Sequence, residues 1–127
     1  IFAACELALA MHDTATLVAV DGVTDIVHLG VYNCRVISGT STLSEHAFAS
    51  AIDIAGFQRA DGVYWTVYDD WEDGVSSPVT EAGDWLLWFA NELYQQWIFN
   101  VILTPEYNAA HDDHFHCDLT EGAHSLH

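Results

Sequence analysis

Lysine is absent from this chain, and arginine occurs only twice, as Arg35 and Arg59. Set against 19 acidic residues, that leaves a formal charge of −17. A surface so poor in cations cannot displace counterions from a phosphate backbone, which argues against nucleic acid as a partner. An anionic membrane surface is disfavoured for the same reason. Proline is nearly as scarce, with Pro78 and Pro105 alone, and no linker, repeat or low-complexity stretch divides the 127 residues. No apolar run approaches the roughly 20 residues of a membrane span, and none reads as a secretory leader. The chain opens on Ile1-Phe2, as expected of a mature form or an excised domain. Acidity without lysine has two readings. One is adaptation to high salt, where screening removes most of the self-repulsion; the other is an ordinary acidic secreted protein.

Cysteine is also sparse. Cys5, Cys34 and Cys117 allow at most one internal bridge. Cys5 falls in an expected helix and Cys34 follows an expected strand, so a Cys5–Cys34 bridge would pin that helix to the sheet. Three buried free thiols are the alternative, and spacing does not choose between them.

What the chain has in abundance is apolar surface: 51% hydrophobic residues, with five Trp, five Tyr and six Phe. That is enough for one core in a single domain spanning 1–127. Residues 3–12 are helix formers, interrupted at Asp13-Thr14. The β-branched runs Val23–Leu29 and Val31–Ser38, bounded by Gly22, Gly30 and Gly39, read as strands. A core strand is expected over 51–57 and its hairpin partner over 63–68, after the turn at Asp61-Gly62. Ser77-Pro78 marks a helix start, and Trp85, Phe89, Leu93 and Trp97 recur every four residues as its buried stripe. Strands over 99–104 and 114–119 complete an α+β domain: a small, mainly antiparallel sheet with helices to one side.

Two stretches carry chemistry. Ser44-Glu45-His46 to Asp53 places a histidine and an aspartate seven positions apart, and Asp112-Asp113-His114-Phe115-His116 supplies two alternating imidazoles. On strands, Asp53 lies opposite to Ile52 and Ile54, and His114 and His116 opposite to Phe115 and Cys117, so the polar side chains can share one side. His46, Asp53 and His116 then form three corners of a tetrahedral zinc site with the fourth left for water. Asp113 is the expected general base, reached through a turn at the start of the last strand. His114 is its rival for that role, or a donor to a developing oxyanion. Arg35 suits a fork for a substrate carboxylate, with a salt bridge to one of the many acids as the alternative. Ser44 either contacts that carboxylate or shapes the loop. His111 near Asn108 suits a supporting role, and Glu121-x-x-His124 reads as a decoy.

At these motifs, Ser44-x-His46-x6-Asp53-Ile54-Ala55-Gly56-Phe57 and Tyr107-Asn108-Ala109-Ala110-His111-x2-His114-Phe115-His116-x-Asp118, the chain resembles the C-terminal domain of bacterial extensin-like proteins. That domain is similar to the clan of zinc peptidases containing D-Ala-D-Ala carboxypeptidases, L-Ala-D-Glu endopeptidases and the hedgehog fold. The resemblance implies His46, Asp53 and His116 as zinc ligands, Asp113 at the clan's base position, and Arg35 and Ser44 at positions that hold substrate carboxylate. It implies a secreted, periplasmic or cell-wall-associated monomer that hydrolyses peptidoglycan stem peptides. A zinc-containing cell-wall binding module and a phage endolysin domain are the rival readings. The chain departs from the family at Ala49 or Ser50, where glycine is common, and near Gln96, where a later cysteine is missing.

Overall fold

The computed structural model describes residues 1–127. The strand on which the sheet is built is β2 (Ala51–Arg59), preceded by α1 (Cys5–Ala19) and β1 (Val23–Gly30). After it come β3 (Tyr64–Thr66), α2 (Val67–Asp70), α3 (Glu81–Gln95), β4 (Val101–Leu103), β5 (Phe115–Asp118) and β6 (Ser125–Leu126). The six strands run in the order β1-β2-β5-β4-β6, with β3 also on β2. All pairs are antiparallel except β4 with β6. The chain is therefore α+β with a mixed, mostly antiparallel open sheet. No helix is long and apolar enough to cross a membrane.

Alternation along β2 separates core from site. Ile52 and Ile54 are buried in the same cluster as Phe115 and Cys117 of β5, while Asp53 between them faces away. Leu7, Ala10 and Val18 of α1 and Leu86, Phe89 and Leu93 of α3 join that cluster, so both long helices cover one face. Phe57 meets Phe89 and Trp85 edge-on, each at 4.8 Å between ring centroids. Burying a Phe side chain of this kind contributes about 1.5–3 kcal/mol. Gly56 is required where β3 crosses β2, since a Cβ there would lie 2.8 Å from the Tyr64 hydroxyl and 2.9 Å from the Trp65 carbonyl oxygen.

Several expected elements are corrected. The first helix runs on past Asp13-Thr14 because Thr14 Oγ1 donates to Ala10 O at 2.7 Å, its hydroxyl satisfied inside the helix. No strand forms over 31–38; only Val36 bridges Leu43, at the neck of an exposed loop. The hairpin partner is short because Thr66 caps a helical turn, its Oγ1 accepting from Asp69 N. The long helix starts after Thr80, not at Pro78, because Thr80 Oγ1 accepts from Gly83 N. Trp97 leaves the stripe altogether. The helix has ended, Trp97 adopts a left-handed φ of 57°, and that reversal swings Ile98 and Phe99 into the core.

All three cysteines are free thiols, so the Cys5–Cys34 bridge is not formed. With no strand at 31–38, nothing holds Cys34 against α1; both residues are exposed, and only Cys117 is buried. Poor in cations, the chain engages several carboxylates with its own backbone N–H groups. Glu72 accepts from Val79 N and Thr80 N, Asp70 from Thr66 N, and Asp61 from Val63 N.

Candidate metal centre

His46 reaches the centre on a single 3-10 turn, Glu45–Phe48, that follows the exposed loop. Ser44 begins that turn by accepting from His46 N at 3.3 Å, and Ala49 ends it with φ 56°. A left-handed alanine costs about 1–2 kcal/mol relative to glycine, so the turn that delivers His46 is strained at Ala49. Asp53 and His116 arrive by register, directly opposite each other on β2 and β5.

The three side chains converge. His46 Nε2 is 3.1 Å from Asp53 Oδ1 and 3.2 Å from His116 Nδ1, and His116 Nδ1 is 3.0 Å from Asp53 Oδ1. The outer nitrogens explain why this triangle calls for a cation. His46 Nδ1 donates to the Val31 carbonyl at 2.7 Å, which in the neutral ring leaves Nε2 a lone pair. His116 Nε2 donates to Asp118 Oδ2 at 2.9 Å, which leaves Nδ1 a lone pair. Both lone pairs and a carboxylate oxygen therefore point at one another. Tetrahedral zinc with bonds of about 2.0–2.1 Å holds its donors about 3.3 Å apart. The donor set thus fits zinc in chemistry and in size.

Without a metal, a proton must fill the role. Burial pulls His116 down, but its hydrogen bonds to Asp118 and Asp53 outweigh that and push it up to about 9. Burial pushes Asp53 up, and the bonds from His116 and His46 outweigh it, holding the carboxyl well below its usual range. Asp118 is lowered in the same way: burial opposes, while His116 and Thr120 prevail.

Around this triangle the remaining expected residues divide. His114 lies just before β5 with Nε2 3.6 Å from Asp53 Oδ1, so it belongs to the site. Asp113 is exposed and does not reach the triangle itself; its Oδ1 accepts from His114 Nδ1 at 2.6 Å. The expected turn is present, since 109–113 coils before the strand begins. His111 donates from Nδ1 to Asn108 Oδ1 at 2.7 Å, and its ring lies 5.2 Å from that of His114. Burial, then the neighbouring His114 and His116, lower its pKa. Ser44 is buried and its Oγ accepts from His46 N, which shapes the loop.

Arg35 is exposed on the loop and has no ion pair, whereas Arg59 is held by Asp61, Glu81 and the Trp65 ring. Its carbonyl accepts from Ser44 N at 3.0 Å, which ties Arg35 to the segment that carries His46. His124 is far from this chemistry. It stacks on Tyr94 at 4.1 Å and on Trp97 at 3.4 Å.

The spacing of the motif does not single out Asp118, although a strand places it on the same face as His116 two residues earlier. It is buried, and its Oδ1 accepts from both Thr120 N at 2.9 Å and Thr120 Oγ1 at 2.8 Å. Such a partner sets the tautomer and basicity of the ligand it touches. Asp118→Asn is expected to weaken zinc binding by about 10–100-fold, measured by competition with a chelator; unchanged affinity would remove this role.

No curated protein and no solved structure matches the chain. The profile described as "Extensin-like protein C-terminus" does match, over residues 4–126. With both motif stretches inside that match, the chain belongs to the family of extensin-like protein C-terminal domains.

Proposed function

We propose that this domain is a zinc-dependent peptidase that hydrolyses peptide bonds in peptidoglycan stem peptides, of the D,D-carboxypeptidase or L,D-endopeptidase type. The observation that supports it best is the convergence of His46 Nε2, Asp53 Oδ1 and His116 Nδ1, with outer partners that turn both imidazole lone pairs inward. Two nitrogens and one oxygen suit zinc rather than a hard cation such as magnesium or calcium. When bound, such an ion supplies Lewis acidity and lowers the pKa of water it meets.

The chain's own groups would do the rest. Asp113 holds the His114 proton at Nδ1, so His114 Nε2 is the proton acceptor turned toward the site. This makes Asp113 a positioning partner of the base, where the spacing alone suggested the base itself. Of the two arginines, Arg35 is the one without a carboxylate partner, and it is free to hold a substrate carboxylate. Its loop presents Val36, Ile37 and Leu43 to solvent beside it.

The test is to load the protein with zinc and incubate it with defined muropeptides, reading product masses. The assay belongs at high salt as well as low, since the self-repulsion of a chain with charge −17 is screened there. Loss of a single amino acid or scission of the stem supports the proposal. Retention on sacculi without turnover would make the domain a binding module instead.

A further inference from the structure

Behind β2, on the face opposite Asp53, α1 does not close fully onto the sheet. A cleft of about 420 Å³ opens between α1 and β1, floored by Ile52, Ile54 and Phe99. Met11, Ala15 and Val18, one stripe of α1, form its roof. Close-packed interiors keep few voids larger than a water molecule, whereas ligand pockets begin at about 300 Å³. The size is that of a site rather than a packing fault.

The polar groups of the cleft are unequal in what they have left to give. Thr14 donates to Ala10 O, and Thr24 donates to Asp25 Oδ2 at 2.8 Å. His28 Nδ1 is buried and has no hydrogen-bond partner, one of only two side-chain atoms in the molecule in that condition. A buried polar atom without a partner is unfavourable, and this one is free to pair with a ligand. A register shift between Val27 and His28 breaks the alternation of β1, which accounts for His28 and Asp25 lining the same cleft. Asp25 accepts only from Thr24 and retains acceptor capacity.

From these residues we infer a second binding site, for a small aliphatic amine whose chain lies between α1 and the sheet and whose head donates to Asp25 and His28. An apolar walled slot selects the chain. The Asp25 carboxylate, with His28 Nδ1 accepting in the Nε2-protonated tautomer, favours a donating head, and the charge of −17 repels a carboxylate of the same length. The metal centre plays no part, because Ile52 and Ile54 floor the cleft while Asp53 faces the other side of the strand.

The test compares n-hexylamine, 1-hexanol and hexanoate by chemical-shift titration, in salt high enough to screen general attraction of cations. Hexylamine is expected to saturate and shift the amides of β1 and α1, about tenfold more tightly than hexanol, with hexanoate inert. Ala15→Phe, which fills the slot, is expected to weaken hexylamine at least about tenfold. Should that variant fail to fold, Asp25→Asn on the exposed rim remains decisive: it is expected to bring hexylamine down to the level of hexanol. No saturable binding, equal binding of hexanoate, or hexylamine binding indifferent to these substitutions would overturn the site.

Discussion

Zinc at about a thousandfold excess over its dissociation constant is expected to raise the unfolding midpoint of the metal-free protein by about 15 °C. The shift follows from linkage, which gives about 4 kcal/mol at that excess, and from the entropy of unfolding for a domain of this size. Asp53→Asn keeps the shape of the side chain but removes a charged ligand, and is expected to abolish most of the shift. Scanning calorimetry with and without zinc reads both. An equal shift in the variant would show the ion bound elsewhere, and the hydrolase proposal would lose its support.

The pH dependence carries a sign that separates metal from proton. In the metal-free protein His116 is raised from 6.5 to about 9 by its two carboxylate partners. Its contribution to stability is therefore fully present below 6.5 and is lost as pH rises through 9. Asp53 and Asp118 are lowered from 3.8, so their contribution is present above that value and is lost on acidification. These groups together place the best stability of the metal-free protein between about pH 4 and 6.5. Zinc must displace the His116 proton, so its affinity is expected to climb about tenfold per pH unit from 7 to 9 and then level off. A flat affinity across that range would mean that His116 is not a ligand.

The second large effect concerns catalysis. Asp113→Ala is expected to lower kcat on a cleaved muropeptide by about 10²–10⁴-fold while zinc affinity stays unchanged. The geometry makes a sharper claim, because Asp113 touches the site only through His114. Residues that act as one unit are not additive. The Asp113→Ala/His114→Ala double variant is therefore expected to be no slower than His114→Ala alone. Multiplying losses would instead make Asp113 an independent base.

Legibility of the chain followed the range of the forces involved. The alternation at Ile52-Asp53-Ile54 and Phe115-His116-Cys117 is a local property of strands, and the sheet pairs Asp53 with His116 as that alternation allows. Helix boundaries depart from the local signals at Thr14 and Thr80, where one hydroxyl's choice of backbone partner decides whether a helix continues or begins. Trp97 fitted the four-residue stripe, yet the chain reverses there so that Ile98 and Phe99 can be buried, a demand made by the core and not by neighbouring residues. Cys34 lost its expected bridge because the strand meant to carry it is an exposed loop.

By itself, then, the order of residues determined the α+β class and the identity of the inward-facing triad, because periodicity needs no knowledge of distant contacts. Only the tertiary structure decided which nitrogen of each imidazole faces the centre. That depends on the Val31 carbonyl and the Asp118 carboxylate, and a hydrogen bond forms only where folding has brought donor and acceptor to within about 3 Å.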